Sequence, residues 1–317
     1  MSFNKIKKWI PFTKIFPLNT FLIRLKNKNS YTLQLVYSRI GLSGAKIIRV
    51  LPNGCYQVKL NKSSILGERG TILNIPKDNV IFENVRINGY WEKHECEFIS
   101  RALQSAHSSM YQKVALLDIG ANVGLVTLGA MNLAKTETDI HLFEPTPIHT
   151  FALKYNLRNL EISGEIFVND FGLSNKSERI EIYRDLGNSG NSSVFNQAVN
   201  NQNREVIEIK IESAKQYFES NLVNYNKFIV KSDIQGLDAK ALSNFPTEFW
   251  RKVDAAAIEV WAFTEVENED VEELLTHLNS FKNISWDPYF RNKSTLDEVK
   301  NFWLSRNNQQ RNLYISR

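Results

Sequence analysis

The sequence predicts an α/β protein built on a Rossmann-like, doubly wound parallel sheet, and two features of the chain support this prediction. Short apolar runs that end near an acidic residue recur along the 317 residues, as expected for buried parallel strands. The first run, residues 114–117, ends at Asp118 and continues through a loop with two glycines into an apolar, helix-like stretch at 125–133. A strand, a glycine-rich loop and a helix in this order form the nucleotide-binding corner of such sheets.

The loop after Asp118 indicates which kind of ligand this corner would bind. A dinucleotide fingerprint needs glycine at positions 120, 122 and 125, but Asn122 and Leu125 occupy two of these positions. An acid at the strand end, with glycine at the first and fifth loop positions, instead suits a charged adenosyl ligand that has no pyrophosphate. We therefore predict a loop that binds the methionine part of S-adenosylmethionine through Asp118, Gly120, Ala121, Asn122 and Gly124. Its backbone N–H groups suit the donor's carboxylate, and Asp118 either lies near the donor's ammonium group or orders the loop.

Further acids follow later apolar runs. Glu144, Asp233 and Glu259 each come at or near the end of such a run. The carboxyl ends of parallel strands meet at one edge of the sheet, so we expect these carboxylates to surround one site. Glu144 ends the second strand, where an acid can accept hydrogen bonds from ribose hydroxyls. Asp170, after the apolar run 166–168, is placed to accept a hydrogen bond from the adenine amino group.

Together these motifs resemble the FkbM family of S-adenosylmethionine-dependent methyltransferases. The agreement consists of Leu117-Asp-Ile-Gly-Ala-Asn-Val-Gly124, Phe143-Glu-Pro145, Lys231-x-Asp-Ile-Gln-Gly236 and Ile258-Glu259, with Trp91-Glu92 ahead of the first helix of the domain. The resemblance spans roughly residues 85–317. It implies a class I methyltransferase fold, S-adenosylmethionine as methyl donor, and methylation of a hydroxyl. In that family the hydroxyl most often belongs to a sugar in a surface polysaccharide, a glycolipid or a secondary metabolite.

Methyl transfer from a sulfonium is an in-line displacement, and its requirements assign roles to the later acids. An enzyme must hold donor and acceptor about 3–3.5 Å apart, and it must remove the proton of an acceptor hydroxyl. Asp233 is placed to be the general base for that proton, with Glu259 as its orienting partner. Alternatively, Asp233 and Glu259 bind Mg²⁺ or another divalent metal that lowers the pKa of the hydroxyl. This alternative rests on analogy with sugar O-methyltransferases of another family.

Two other classes of function remain open. The fold also suits an NAD-dependent sugar-nucleotide enzyme, although Asn122 and Leu125 disfavour a pyrophosphate. A non-catalytic binding protein could retain the methyltransferase fold, although the intact Asp118, Glu144 and Asp233 argue against this. Nucleic acid is disfavoured as a partner, because the chain has no Asn-Pro-Pro-Tyr motif for methylating an exocyclic amine and no cysteine placed as a nucleophile. The partner expected is a glycan or a small-molecule acceptor.

Positive charge is concentrated at the N-terminus. The first 67 residues hold twelve Lys or Arg and no Asp or Glu, in a chain whose net charge is +5. Within residues 1–30, the stretches 3–10 and 18–25 place apolar residues on one helical face with basic residues beside it. Such a basic amphipathic segment can bind an anionic membrane surface through residues 1–28. It can equally dock on the protein's own body or on a second subunit of a homo-oligomer.

The remaining chain divides into two predicted domains. Residues 31–90 predict a small β-rich N-terminal module, and residues 91–317 the donor-binding domain. Turn signals such as Pro52-Asn-Gly54 separate four short runs of strand composition, at 33–37, 45–51, 55–60 and 80–82. The module is placed to cover one mouth of the site.

A segment rich in Asn, Ser and Gly at 187–203 predicts a loop. It falls between strands, where it is either a flap near the site or a plain surface loop.

Composition predicts a cytoplasmic protein, peripheral at the inner face of the membrane if the N-terminal segment binds there. The sequence has no run of eighteen apolar residues that could span a membrane. Its two cysteines, Cys55 and Cys96, have neither metal-binding nor redox spacing, which is typical of a protein in a reducing compartment.

Overall fold

The computed structural model describes residues 43–78, 80–108, 112–188, 190–196, 199, 204–263 and 265–317. One compact unit runs from Gly44 to Arg317. The predicted N-terminal segment 1–30 and the predicted strand at 33–37 lie outside the described residues.

Fourteen strands lie within the described residues, and those of the central sheet position the site. In chain order they are β1 (Ala45–Val50), β2 (Cys55–Leu60), β3 (Ile72–Pro76), β4 (Val114–Ile119), β5 (Asp139–Phe143), β6 (Ile166–Asn169), β7 (Gly172–Ser174), β8 (Glu178–Asp185), β9 (Ser192–Ser193), β10 (Arg204–Ser213), β11 (Lys227–Ser232), β12 (Val253–Trp261), β13 (Asn283–Ser285) and β14 (Gln310–Ser316).

The α-helices flank these strands. They are α1 (Ile81–Asn88), α2 (Lys93–Ala106), α3 (Leu125–Ala134), α4 (Pro147–Asn156), α5 (Ala214–Tyr217), α6 (Asp238–Ser243), α7 (Thr247–Lys252), α8 (Asn268–Leu278) and α9 (Leu296–Trp303). A 3₁₀ turn, Leu157–Asn159, follows α4, and a π-helical turn, Phe218–Leu222, follows α5. Within the described part of the chain, none of the helices is both long and apolar enough to cross a membrane.

Seven strands form the central sheet, in the order β13-β14-β12-β11-β4-β5-β6. The five strands from β12 to β6 are parallel, whereas β14 is antiparallel to both of its neighbours. All six residues of β4 are buried, as a central parallel strand requires. The prediction of a doubly wound sheet of the class I methyltransferase type is therefore confirmed.

The sheet topology also fixes where a ligand can bind. From β4 the chain builds outward to β5 and β6 on one side, and later to β11 and β12 on the other. The order thus reverses between β4 and β11, which opens a crevice at the carboxyl ends of these strands. The predicted site acids follow the strands that meet at this crevice.

A second sheet of four strands, in the order β7-β10-β8-β9, is inserted between β6 and β11. Ile182 on β8 and Ile209 and Ile211 on β10 form a small apolar cluster on it. The segment predicted as a loop, 187–203, contains the short strand β9. This sheet forms one wall of the crevice at the carboxyl ends of the central strands.

A three-stranded antiparallel sheet, β1-β2-β3, precedes the central sheet. The predicted strand at 80–82 is wrong, because Ile81 and Phe82 begin helix α1. Three apolar residues are too few to distinguish the period of a strand from that of a helix. Val85 is buried together with Ile81 and Phe82, and the three residues form one apolar face of the helix. Asp78 favours the helix, since its Oδ1 accepts hydrogen bonds from the backbone N–H groups of residues 80 and 82.

Asn156 at the end of α4 ties this small sheet to the glycine loop. Its side chain is fully buried, and its Oδ1 accepts a hydrogen bond of 2.7 Å from the backbone N–H of Asn74 in β3. Its Nδ2 donates to the carbonyls of Asn74, at 2.9 Å, and Val123, at 2.8 Å. A single amide therefore holds β3, α4 and the loop between β4 and α3 in register.

Candidate active site

A cleft of about 510 Å³ lies at the carboxyl ends of the central strands. The predicted site residues that line it are Gly120, Ala121, Asn122, Glu144, Asp233 and Glu259. Asp118 and Gly124 lie behind the lining and shape the loop. Asp170 is exposed and is not part of the lining, so the structure does not bring it together with the others.

Asp118 supports the loop from beneath. Only 1% of its surface is exposed, its Oδ1 lies 3.2 Å from the Lys231 Nζ, and its Oδ2 accepts a hydrogen bond of 2.6 Å from the Thr127 hydroxyl. Lys231 also donates to the carbonyl of Gly120 at 2.6 Å. The carboxylate is thus paired with Lys231 and Thr127, lies outside the lining of the cleft, and is positioned to order the loop. Lys231 is a supporting residue whose role the motif alone did not indicate.

The glycine loop contributes its shape rather than a set of unused donors. The N–H groups of Gly120 and Ala121 both donate to the carbonyl of Phe143, at 3.0 Å each. The Asn122 N–H donates to Glu144 Oε2 at 2.9 Å, and the Gly124 N–H to the Ala121 carbonyl at 2.8 Å. These bonds hold the loop against the end of β5, and Gly120, Ala121 and Asn122 still line the cleft that a ligand would occupy.

Gly120→Ala is expected to destabilise the protein strongly. Gly120 has φ of 79°, and a Cβ there would lie 2.0 Å from the Asp233 carbonyl oxygen. Gly54→Ala is the matched control, because Gly54 has φ of 84° and nothing within 4 Å of its Cβ position. The control should cost only the left-handed backbone penalty of about 1–2 kcal/mol. Chemical denaturation of both variants measures the difference, and equal losses would contradict the predicted clash.

Glu144 joins the loop to the start of α4. Its Oε2 accepts from Asn122, its Oε1 accepts from the Thr146 N–H at 2.8 Å, and His149 Nδ1 lies 3.4 Å from Oε1. Burial opposes its ionisation, but hydrogen bonds from His149 and Thr146 outweigh burial and lower the pKa of Glu144. Glu144 therefore stays an anion that still lines the cleft.

Asp233 and Glu259 face each other across a glutamine. The Gln235 Nε2 donates to Asp233 Oδ1 at 2.7 Å and to both oxygens of Glu259, at 3.1 and 3.0 Å. Burial, followed by the charges of Asp233 and Asp238, raises the pKa of Glu259 well above its ordinary value. The protonated form of Glu259 is consequently more favoured than in an ordinary glutamate, whereas Asp233 is half-buried at the cleft surface.

The pair Asp233 and Glu259 does not fit a divalent metal. The described residues contain no group of three or more His, Cys, Asp or Glu side chains that could hold a metal ion. An amide nitrogen of Gln235, a hydrogen-bond donor, lies between the two carboxylates, where a bridging cation would need acceptors.

Glu92 is a site residue to which the sequence assigned no role. It lines the cleft at the start of α2, and its φ of 39° and ψ of 50° place a non-glycine residue in the left-handed region. Burial and the negative charge of Asp233 raise the pKa of Glu92 to about 7, against the opposing effect of Lys231. The nearest signal in the sequence was the pair Trp91-Glu92. The pKa of Glu92, however, depends on burial and on charged residues of distant strands, which the sequence does not show.

The rest of the lining has an apolar part and a polar part. One wall, from the inserted sheet and its neighbours, is apolar and includes Leu173, Ile182, Val194, Ile209 and Ile211. The lining also carries amides and an aromatic ring: Gln235 contacts Asp233 and Glu259 and accepts a hydrogen bond from Gln310, and Trp261 donates to Asn308. The cleft can thus hold a flat apolar group on one side and a hydroxyl-rich group on the other.

Neither a protein-family model nor a curated protein matches this sequence. Solved structures similar in fold include an S-adenosylmethionine-dependent methyltransferase from Agrobacterium tumefaciens, with a TM-score of 0.38 and 9% identity, covering 86% of this chain and 76% of its own. Fibrillarin from Aeropyrum pernix, with natively bound S-adenosylmethionine, has a TM-score of 0.35 and 11% identity, covering 83% and 94%. A probable spermidine synthase from Corynebacterium glutamicum has a TM-score of 0.39 and 10% identity, covering 86% and 77%. Similarity at this level concerns the fold and assigns no substrate.

Proposed function

We propose that the protein is an S-adenosylmethionine-dependent methyltransferase. The observation that supports this best is the charge of the cleft, which is lined by the carboxylates of Glu92, Glu144, Asp233 and Glu259. Among the described lining residues the one lysine, Lys231, is already paired with Asp118. S-adenosylmethionine brings a sulfonium and an ammonium to such a site, and opposite charges in a partly buried cleft attract strongly.

We further propose that the methyl group goes to a hydroxyl of a sugar. Sugars present many groups that both donate and accept hydrogen bonds, and carboxylates and amides such as Asp233, Gln235 and Gln310 are suitable partners for them. In the transfer, the acceptor oxygen attacks the methyl carbon and the carbon–sulfur bond breaks. Asp233 takes the hydroxyl proton, and the sulfur leaves as a neutral thioether without needing an acid.

The acid-lined cleft argues against an NAD-dependent enzyme. A pyrophosphate needs unpaired N–H groups or cations, but the loop N–H groups of Gly120, Ala121 and Asn122 are engaged within the protein. The acidic lining of the cleft would repel the phosphates of NAD. A binding protein without activity has no observation in its favour beyond the fold itself.

Calorimetric titration with S-adenosylmethionine and, separately, with NAD tests the donor. We expect micromolar binding of S-adenosylmethionine and none of NAD. Glu144→Gln should weaken the binding, whereas Glu178→Gln, outside the cleft on β8, should not. Absence of S-adenosylmethionine binding in a folded sample would refute the proposal. A screen of glycan acceptors with labelled donor then tests the sugar hydroxyl.

Donor affinity is expected to rise as the pH increases from about 6 to about 8. The pKa of Glu92 is about 7 in the free protein, and a bound cationic donor stabilises its ionised form. Binding below pH 7 must therefore release a proton, which weakens the affinity there. Calorimetry in buffers of different ionisation enthalpy counts this proton.

Glu92→Gln should abolish this pH dependence. Glu97→Gln is the matched control, since Glu97 lies on the same helix outside the cleft and pairs with Lys93. An unchanged pH profile in Glu92→Gln would show that Glu92 is not the group responsible.

We also propose, from the sequence alone, that residues 1–28 bind an anionic membrane surface. Flotation with anionic liposomes, comparing the full chain with a variant lacking residues 1–28, tests this. Equal flotation of the two proteins would contradict it.

A further inference from the structure

We propose that His149 binds the donor directly, and that His149 and Glu144 each accept a hydrogen bond from one of the two ribose hydroxyls. This inference rests on the proposed methyltransferase function. His149 lies on α4, lines the cleft, and is only 2% exposed. Among the residues that the structure describes, its Nε2 has no hydrogen-bond partner. A buried polar atom without a partner is costly, so it points to a ligand that supplies one.

The acceptor capacity of Glu144 shows why a second group is needed. An ionised carboxylate has about four acceptor positions, two on each oxygen. Oε1 already accepts from the Thr146 N–H at 2.8 Å and has His149 Nδ1 at 3.4 Å. Oε2 accepts from the Asn122 N–H at 2.9 Å. The Thr146 side chain also hydrogen-bonds the carboxylate, so at most one position is left for a ligand, whereas a ribose presents two neighbouring hydroxyl donors.

The contact with Glu144 also determines which nitrogen of His149 is the acceptor. A carboxylate next to Nδ1 favours the tautomer in which Nδ1 carries the proton and donates it to Glu144 Oε1. The lone pair of the neutral ring is then on Nε2. Oε2 of Glu144 and Nε2 of His149 thus form a pair of acceptors that matches a diol. A phosphate on the ribose would instead be repelled by Glu144.

Titration of the full chain with S-adenosylhomocysteine and with its 2′-deoxy and 3′-deoxy analogues tests this pairing. In the wild-type protein, loss of either hydroxyl should weaken binding by about fivefold to tenfold. His149→Asn keeps an amide near the Nδ1 position but removes the acceptor at Nε2. In this variant one analogue should bind as tightly as S-adenosylhomocysteine. The other analogue should still bind about fivefold to tenfold more weakly.

Two further variants guard against a folding defect. His149→Gln returns a polar atom close to the position of Nε2. In this variant both analogues should again bind more weakly than S-adenosylhomocysteine, as they do in the wild-type protein. His149→Phe keeps the ring but neither nitrogen, and it should behave as His149→Asn does toward the first analogue. Circular dichroism and thermal melting show which variants are folded.

The outcomes separate this inference from the proposed function. If folded His149→Asn and His149→Phe still lose affinity with both analogues, His149 does not bind the ribose, although the methyltransferase proposal stands. If the wild-type protein binds none of the three ligands, the proposed function fails and the inference fails with it.

Discussion

Asp233→Asn is expected to lower kcat by about 10²- to 10⁴-fold while leaving the dissociation constant of S-adenosylmethionine within about threefold of wild type. The carboxylate lies at the carboxyl end of β11, lines the cleft, and is oriented by the hydrogen bond from Gln235. Asparagine keeps the size of the side chain but cannot take up a proton. The loss should therefore fall on the chemical step, which single-turnover kinetics with a labelled donor measures.

Glu259→Gln is the variant to compare with Asp233→Asn. The raised pKa of Glu259 favours the protonated form, and glutamine resembles that form, so Glu259→Gln changes the site less than Asp233→Asn does. We expect a decrease in kcat of less than about tenfold from Glu259→Gln. If Glu259→Gln were the more damaging of the two substitutions, the roles of base and orienting partner would have to be exchanged.

The parts of the fold and site that could be predicted are those encoded in short, contiguous segments. Strand β4 is fully buried along its length, and the loop after it carries its own turn residues, so both were evident from the sequence. The predicted strand-end acids Glu144, Asp233 and Glu259 converge because parallel strands share one edge. Asp170 shows the limit of this rule, since it leaves the edge in an exposed bend.

The roles that could not be predicted depend on contacts between distant segments. Glu92 acquires its raised pKa from burial and from Asp233, about 140 residues further along the chain. The buried, unpaired nitrogen of His149 is visible only once the packing around α4 is known. Likewise, the pairing of Lys231 with Asp118 favours the second of the two roles expected for Asp118, that of ordering the loop, and it depends on a strand more than 100 residues away.

The inserted four-stranded sheet is a different case, because its sequence does contain a usable signal. Isoleucines alternate with polar or charged residues in β8, at Ile180 and Ile182, and in β10, at Ile207, Ile209 and Ile211. A period of two predicts a hairpin with one apolar face. The side chains of that face pack together as the apolar wall of the cleft.

Lys231→Met is expected to lower the free energy of unfolding by about 3–5 kcal/mol. Lys231 is 4% exposed, and its ammonium satisfies both the Asp118 carboxylate and the Gly120 carbonyl. Methionine fills nearly the same volume but leaves a buried, uncompensated anion and an unpaired carbonyl. Lys176→Met is the matched control, because its ion pair with Glu178 has side chains that are 63% and 35% exposed. It should cost less than about 1 kcal/mol.

The double variant Asp118→Asn/Lys231→Met separates lost packing from the uncompensated charge. Asparagine removes the negative charge that Lys231 normally balances and can still accept the hydrogen bond from Thr127. We therefore expect the double variant to be more stable than Lys231→Met alone, with a coupling of about 1–3 kcal/mol in a double-mutant cycle from urea denaturation. Strict additivity would mean that the two side chains do not stabilise the loop as an ion pair. Asp118 and Lys231 would then each support the glycine loop through its own hydrogen bonds, to Thr127 and to Gly120.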